Sequence, residues 1–496
     1  MLAALSLTTD LASGVPFEKG LRTCAVATSF GQALGLEEGQ RKALFQAALL
    51  RAVGCTSHAP ENAMHFVDDV AFQAALKVLD PSDPEVFGRQ LQAFGAWVPE
   101  RQAELAQLFG QIAPTVGPVA AATGCETSRA LGPGLGLLPE AVDALDDVYE
   151  RWDGHGIPLG RRGDELSLIG RVVHVAEQAV FAHANGGQVA ALAEVRRRAG
   201  GHLDPDLVAA FGEHDHLEVL AEPDLLAHVV ASEPGRPDVV TDVGLESLCR
   251  GLAVVVDLKG RWLLGHSAHV AEVVDRAAEL AGVPDRVDLR CAALLHDLGR
   301  VAVSSEVWDR AGPLGPADTE RVRLHAYWTA RILERVPGLQ HLAELAASHH
   351  ERCDGSGYHR GSRELGVGAR LLAAADVFAA LTEERPYRAA MSTAEAAAVL
   401  AGEVAAGRLD REACAAVVEG AGLPRPRAAW PAGLSDREVE VLRLAAKGLS
   451  NREIATRLVL SERTVGHHLA HVYDKTGRRT RAGAAVFAIE NGLLPG

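Results

Sequence analysis

Apolar residues recur every three to four positions along most of the chain, the spacing of a helix with one buried face. VDLRCAALLHDL (287–298) and ARLLAAADVFAALTEE (369–384) are two such runs. Alternating strand-type runs are scarce, so the chain is predicted to be all-α. No apolar run approaches the ~18 residues that a membrane helix needs; LAVVV (252–256) is far shorter. The helical pattern breaks at AGLPRPRAAWPAG (421–433), where three prolines and two glycines predict a linker.

Blocks of this pattern also repeat. AALLRAVG (47–54) matches AALLHDLG (292–299), ERWDGHGIPLG (150–160) matches ERCDGSGYHRG (351–361), and GHLDPDLVAAF (201–211) echoes GRLDREACAAV (407–417). The order is the same in both halves. Two copies of one helical bundle are predicted, 15–232 and 240–420, followed by the linker 421–433 and a small module at 434–496.

Composition narrows the function. The chain has 496 residues, 48% hydrophobic and 23% charged, which excludes a disordered chain or a disulfide scaffold. Its net charge of −16 rules out a general polyanion binder. The segment Leu434–Gly496 differs: ten Lys/Arg against seven Asp/Glu make it +3, so any nucleic-acid contact belongs there. Seven scattered cysteines without a C-x-x-C pair, and a start that is a poor signal peptide, predict a cytoplasmic protein without membrane attachment.

The second copy concentrates potential metal ligands: His266, the pair His296–Asp297, His325, the pair His349–His350, and Asp376. Imidazole and carboxylate without thiolate suit Mn or Fe, with Zn also compatible, and hydrolytic chemistry. So many ligands fit two divalent ions, with a carboxylate such as Asp297 shared between them. His269 and His341 read as ordinary core or surface histidines. In the first copy Arg51 and Ala52 fall opposite His296 and Asp297, Val148 and Tyr149 opposite the histidine pair, Glu177 opposite Asp376 and Lys19 opposite His266. Cations at those positions would repel metal, so 15–232 is predicted to be a degenerate, metal-free copy. It either survives through its core alone or serves as a regulatory or dimerising domain.

With ALLHDLG, HHERCDGSGY and AADVFAALTEERPYR in that order, residues 265–395 resemble the HD-GYP branch of the HD-domain phosphohydrolases. The resemblance implies a helical bundle holding the metals on the seven residues named above. It also implies a cyclic dinucleotide as substrate, above all cyclic di-GMP. By motif position it assigns catalysis to Asp297 and Arg300. It places Asp354, Gly355, Gly357 and Tyr358 of the DGSGY turn in the substrate pocket. Arg352 and Arg385 are either phosphate contacts or structural ion-pair partners. There are departures. His359 replaces the signature proline, Arg300 the usual lysine, and Ala379 a second aspartate found in many members. Trp262 stands where three-metal members place a glutamate, which points to two metals. Two readings stay open: a phosphodiesterase, or a catalytically silent nucleotide or metal sensor.

In the tail, Ser435 with Glu438 and Ser450 with Glu453 write two capping boxes, and Gly448 ends the first helix. Ser461 is placed to cap a third helix at about 462–475. The whole segment resembles the helix-turn-helix domain of LuxR-type transcriptional regulators. That resemblance implies DNA binding through Glu462, Arg463, Val465, Gly466, His467 and His468 at the groove, with Arg452, Thr464 and Lys475 on phosphates. Val465 also falls on the buried face shared with Leu469 and Val472. A homodimer on two half-sites is implied, with a fourth helix at about 481–491 mediating pairing. The sequence thus predicts a DNA-binding transcriptional regulator with a dinuclear HD-type domain that acts on, or senses, a cyclic dinucleotide.

Overall fold

The computed structural model describes residues 1–81, 83–235, 242–284, 286–424, 430–491 and 493. Residues 425–429 of the expected linker, the first two residues of the expected second copy, and the last three of the tail lie outside this set. Among the described residues there is no β-strand, and no helix is long and apolar enough to cross a membrane. Two compact units form, Met1–Leu423 and Pro424–Gly496.

The first half of the larger unit contains α1 (Leu2–Ala12), α2 (Lys19–Ala33), α3 (Glu38–Leu50), α4 (Ala59–Phe66), α5 (Asp69–Val78), α6 (Pro84–Ala93), α7 (Gln102–Leu131), α8 (Pro139–Asp146), α9 (Leu168–Arg197), α10 (Pro205–Phe211) and α11 (Leu225–Ala231). The second half contains α12 (Asp242–Asp257), α13 (His266–Leu280), α14 (Val287–Leu295), α15 (Ser305–Trp308), α16 (Pro316–Arg335), α17 (Gln340–Ala347), α18 (Val367–Thr382), α19 (Thr393–Ala405) and α20 (Arg411–Gly420). One continuous apolar core runs from Ala3 to Val418, with Ala, Leu and Val of α2, α3 and α9 joined to those of α13, α14 and α18. A satellite core of Phe66, Phe72, Phe94 and Leu105 lies under α4–α7.

The same local devices recur in both halves. Buried Asp10 accepts from the Gly20 amide at the start of α2, and buried Asp257 accepts from the Ser267 amide at the start of α13. Each carboxylate satisfies orphan N–H groups at a helix N-terminus, and so fixes the residue that opens the helix: Lys19 in one half, His266 in the other. Buried Glu150 accepts from the amides of Leu159 and Arg161; buried Glu351 accepts from those of Arg360 and Ser362. The loop between is held alike: the Ile157 amide donates to Tyr149 O, and the Tyr358 amide to His350 O. Ile157–Pro158 and Tyr358–His359 are both cis.

The smaller unit holds α21 (Asp436–Ala446), α22 (Asn451–Leu458), α23 (Glu462–Thr476) and α24 (Arg481–Glu490). Both expected capping boxes form, Ser435 with Glu438 and Ser450 with Glu453, and Ser461 caps α23 by accepting from the Thr464 amide. Gly448 follows α21 with φ +87°, the left-handed conformation that glycine adopts without penalty.

Candidate metal centre and nucleic-acid interface

All seven expected ligands converge, each delivered by a helix end or an inward helix face. His266 opens α13, His296 and Asp297 follow α14, His325 lies on α16, His349 and His350 follow α17, and Asp376 lies on α18. Six are buried and His350 is partly so. Asp297 sits between two groups. Its Oδ1 is 3.5 Å from His325 Nε2 and 3.6 Å from His349 Nε2; its Oδ2 is 3.3 Å from His296 Nε2 and 3.8 Å from His266 Nε2. Asp376 extends the second group, 3.4 Å from His266 Nε2, and reaches His350 Nδ1 at 3.9 Å.

The rings are aimed from behind. Nδ1 of His296 lies 2.6 Å from Ala293 O, and Nδ1 of His349 lies 2.8 Å from Ala346 O. His325 Nδ1 meets Val322 O in the same way. With Nδ1–H donated to a carbonyl, the Nε2 lone pair of each ring faces inward, the arrangement metal-binding histidines use. Nε2 of His296 is buried without a hydrogen-bond partner, an unmet need that a cation would satisfy.

The ionisation states agree with that role. Burial alone would keep both aspartates neutral. Arg300 and the surrounding imidazoles outweigh it at Asp297, and His266 with its neighbours does so at Asp376, so both carboxyls stay below the ordinary range. Burial pushes His349 down to about 3, and lowers His325 and His350 as well, so these rings are neutral. His266 goes the other way, up to about 9. Burial opposes the shift, but hydrogen bonds to Asp376 and Glu383 win. The two carboxylates and these three neutral imidazoles are in the states that bind metal, whereas His296, also raised by the neighbouring carboxylates against its burial, and His266 would each release a proton to a cation entering the site.

Several surrounding residues went unread in the sequence. Glu383 bonds His266 Nδ1 (2.9 Å) and His269 Nδ1 (2.8 Å), so His269 belongs to the support of the first ligand. His341 is a surface residue paired with Asp288. Thr329 donates to His296 O at 2.9 Å and accepts from the Gly299 amide at 3.0 Å, tying the turn after α14 to α16. A Cβ on Gly299 would lie 2.0 Å from His325 O, so only glycine lets these ligand-bearing elements approach.

The expected substrate residues divide. Arg300 Nη1 is 2.6 Å from Asp297 Oδ2, and its guanidinium lies 4.2 Å from the centre of the Trp308 ring. The Tyr358 ring lies 4.6 Å from that of His350, at the centre. Arg352 donates to the carbonyls of His349 and Glu351, and Arg385 pairs with Glu383. Asp354 accepts from Ser356 and shapes the turn with Gly355, whose φ is +80°. A Cβ on Gly357 would lie 2.5 Å from Glu351 Cα, which explains that glycine.

In the first half the corresponding positions also converge, on a different chemistry. Lys19 and Arg51 both pair with Glu177; Lys19 and Glu177 are buried and Arg51 is partly so. Side-chain cations stand where the second half gathers ligands.

On the tail, Arg452, Glu462, Arg463 and His467 are exposed, and Thr464, Gly466 and His468 half-exposed, along the start of α22 and one face of α23. Lys475 is bound to Glu438 at 2.6 Å. Val465 is a correction: it is fully buried with Leu469, Ile454 and Ala455 in the tail's own core and cannot reach a base edge.

Comparison with known proteins agrees with this geometry. Residues 252–413 match the HD domain family, and 432–488 match the bacterial regulatory proteins of the luxR family. The 3'3'-cGAMP-specific phosphodiesterase 3 of Vibrio cholerae is 31% identical over 415 residues, 80% of this chain and 89% of that one. The cyclic di-GMP phosphodiesterase of Thermotoga maritima is 37% identical over 129 residues, 25% of this chain and 35% of that one. The crystal structure of a cyclic GMP-AMP specific phosphodiesterase of V. cholerae (V-cGAP3) superposes with a TM-score of 0.58 at 26% identity, covering 85% of this chain and 97% of that one. The chain belongs to the HD-domain phosphodiesterases. Within them it is a fusion, an HD phosphodiesterase body related to the cGAMP-specific enzymes and joined to a LuxR-type DNA-binding domain.

Proposed function

We propose that this protein hydrolyses a cyclic dinucleotide at a two-metal centre and couples that site to transcription through its tail. One observation carries the reading: Asp297 turns one oxygen to His325 and His349 and the other to His266 and His296. A carboxylate with ligands on both sides suits two neighbouring ions, Mn or Fe before Zn given the absence of thiolate. Bound there, such ions would supply an acidified water and charge neutralisation at phosphorus. The chain's own residues do the rest. Arg300, braced by Trp308, offers a cation to a phosphoryl oxygen; Tyr358 and the tight DGSGY turn shape the wall beside His350.

The preferred substrate is 3'3'-cGAMP, because the relative that matches over most of its length is named for it, with cyclic di-GMP second. Residues 15–232 act as a metal-free copy in which Lys19 and Arg51 replace bound cations. Arg452, Glu462, Arg463, Thr464, Gly466, His467 and His468 contact DNA, with Lys475 reaching phosphate only by leaving Glu438. The tails pair on two half-sites, in the cytoplasm where the DNA is.

The test is turnover of 3'3'-cGAMP and cyclic di-GMP by full-length protein loaded with Mn or Fe, beside Asp297→Ala. Turnover that falls at least 100-fold in the variant, with bound metal dropping from about two ions per chain, supports the proposal. Tight nucleotide binding without turnover in the parent protein would instead make the domain a silent sensor.

A further inference from the structure

The first half contains a cavity of about 200 Å³ at the position that corresponds to the expected substrate pocket of the second half. Three of its wall residues show this through the repeat: Cys55 falls opposite Arg300, Tyr149 opposite His350 and Ile157 opposite Tyr358. The groups that would grip a phosphate or a metal are thus replaced by a thiol, a phenol and an alkyl chain. Phe66, Phe72 and Phe109 close the apolar side. Asn62, 5% exposed, adds an amide to this wall.

The cavity is also wired to the metal centre. Phe72, Gln73 and Leu76 of its wall lie on α5, whose first residue is Asp69. Asp69 is buried, pairs with buried Lys259, and accepts from the Ser305 amide at 2.8 Å and from Ser304 Oγ at 3.1 Å. Those serines start α15, which carries Trp308 against Arg300. One rigid helix therefore joins the cavity wall to the segment that braces Arg300 beside Asp297.

We propose that this cavity binds a small, neutral, mostly apolar molecule with one hydrogen-bonding group for Asn62, and that its occupancy is transmitted to the metal centre through Asp69. A cavity of ~150 Å³ accommodates benzene, so a bicyclic molecule such as indole matches the volume, and a cyclic dinucleotide is far too large. The transmission step assumes the hydrolytic reading given above; the binding step does not.

The experiment uses the full-length chain and indole. Calorimetry should show one site, weakened at least tenfold in Ala113→Phe, which fills the cavity; Val116→Trp serves if that variant is misfolded by circular dichroism. Indole should slow amide hydrogen exchange in 298–308. That effect should vanish in Asp69→Asn combined with Lys259→Met, which removes the buried ion pair as a unit, while indole binding persists. Indole should also change kcat/KM on 3'3'-cGAMP at least twofold in the parent protein alone. Absence of binding, or binding untouched by both filling variants, overturns the proposal. Binding without any effect on 298–308 overturns the transmission. If turnover is absent altogether, exchange still reads the link, so the hydrolytic reading can fail by itself.

Discussion

At the scale of single residues, side chains separated by up to 110 positions meet because short features place them: a helix start, a helix end, a glycine. Gly299 is the most exacting. An added methyl would collide with His325 O, with Trp328 Cβ at 2.7 Å and with Thr329 N at 2.8 Å, two of them backbone atoms that cannot move aside. Gly299→Ala is therefore expected to destabilise the larger unit by ~3 kcal/mol or more and to abolish metal binding. Gly402→Ala is the control. That residue lies within α19 with open space around it, and alanine there should stabilise by up to ~1 kcal/mol. Denaturant midpoints and metal content would decide both. Five of the seven expected ligands could be picked out because they sit in the short strings ALLHDLG, HHERCDGSGY and AADVFAALTEERPYR, whereas His266 and His325 lie outside them. Glu383 and His269 were not legible, since their role comes only from α18 ending beside α13. Val465 lay on two overlapping faces of α23, and only packing shows that the buried one governs.

At the scale of elements, the carboxylates that open α2 and α13 were invisible in the sequence, each lying ten residues before the amide it receives. Asp10 makes a pH prediction. Burial raises its carboxyl from 3.8 to about 7, even with Lys19 and the helix-start amides pulling it down. Below pH ~4 the group is protonated both folded and unfolded and changes nothing. Between ~4 and ~7 the unfolded chain ionises first, so stability falls by roughly 1.4 kcal/mol per pH unit, then levels off. Asp10→Asn does not titrate. Its stability relative to the parent should rise from pH 4 to 7 and stay flat above, as urea unfolding at several pH values would show. An equal difference at pH 4.5 and 7.5 would refute it. Helix boundaries in the tail were read almost to the residue, because serine–glutamate boxes mark them explicitly. The helices α4–α6 were unread, since their apolar residues serve a satellite core and have no counterpart string in the second half.

At the scale of the whole molecule, two compact units and two separate sets of cores imply separable functions. Arg463→Ala is expected to cost about 1–3 kcal/mol of base discrimination while leaving phosphodiesterase turnover unchanged, measured by DNA titration and nucleotide assay on the same preparation. The internal repeat and the tail were legible from aligned strings and a local charge reversal. The shared core between the halves was not, because nothing in an aligned repeat tells whether its copies pack together or apart.

The ion-paired trio of Lys19, Arg51 and Glu177 has one more consequence. Its positive charge is bonded into the polypeptide and cannot be dialysed away, whereas that of metal ions held by the other half could be. Stripping the protein with EDTA should loosen α13, α14 and α18 and leave α2, α3 and α9 as firm as before. The first half would then serve as an unchanging reference for the second within a single molecule.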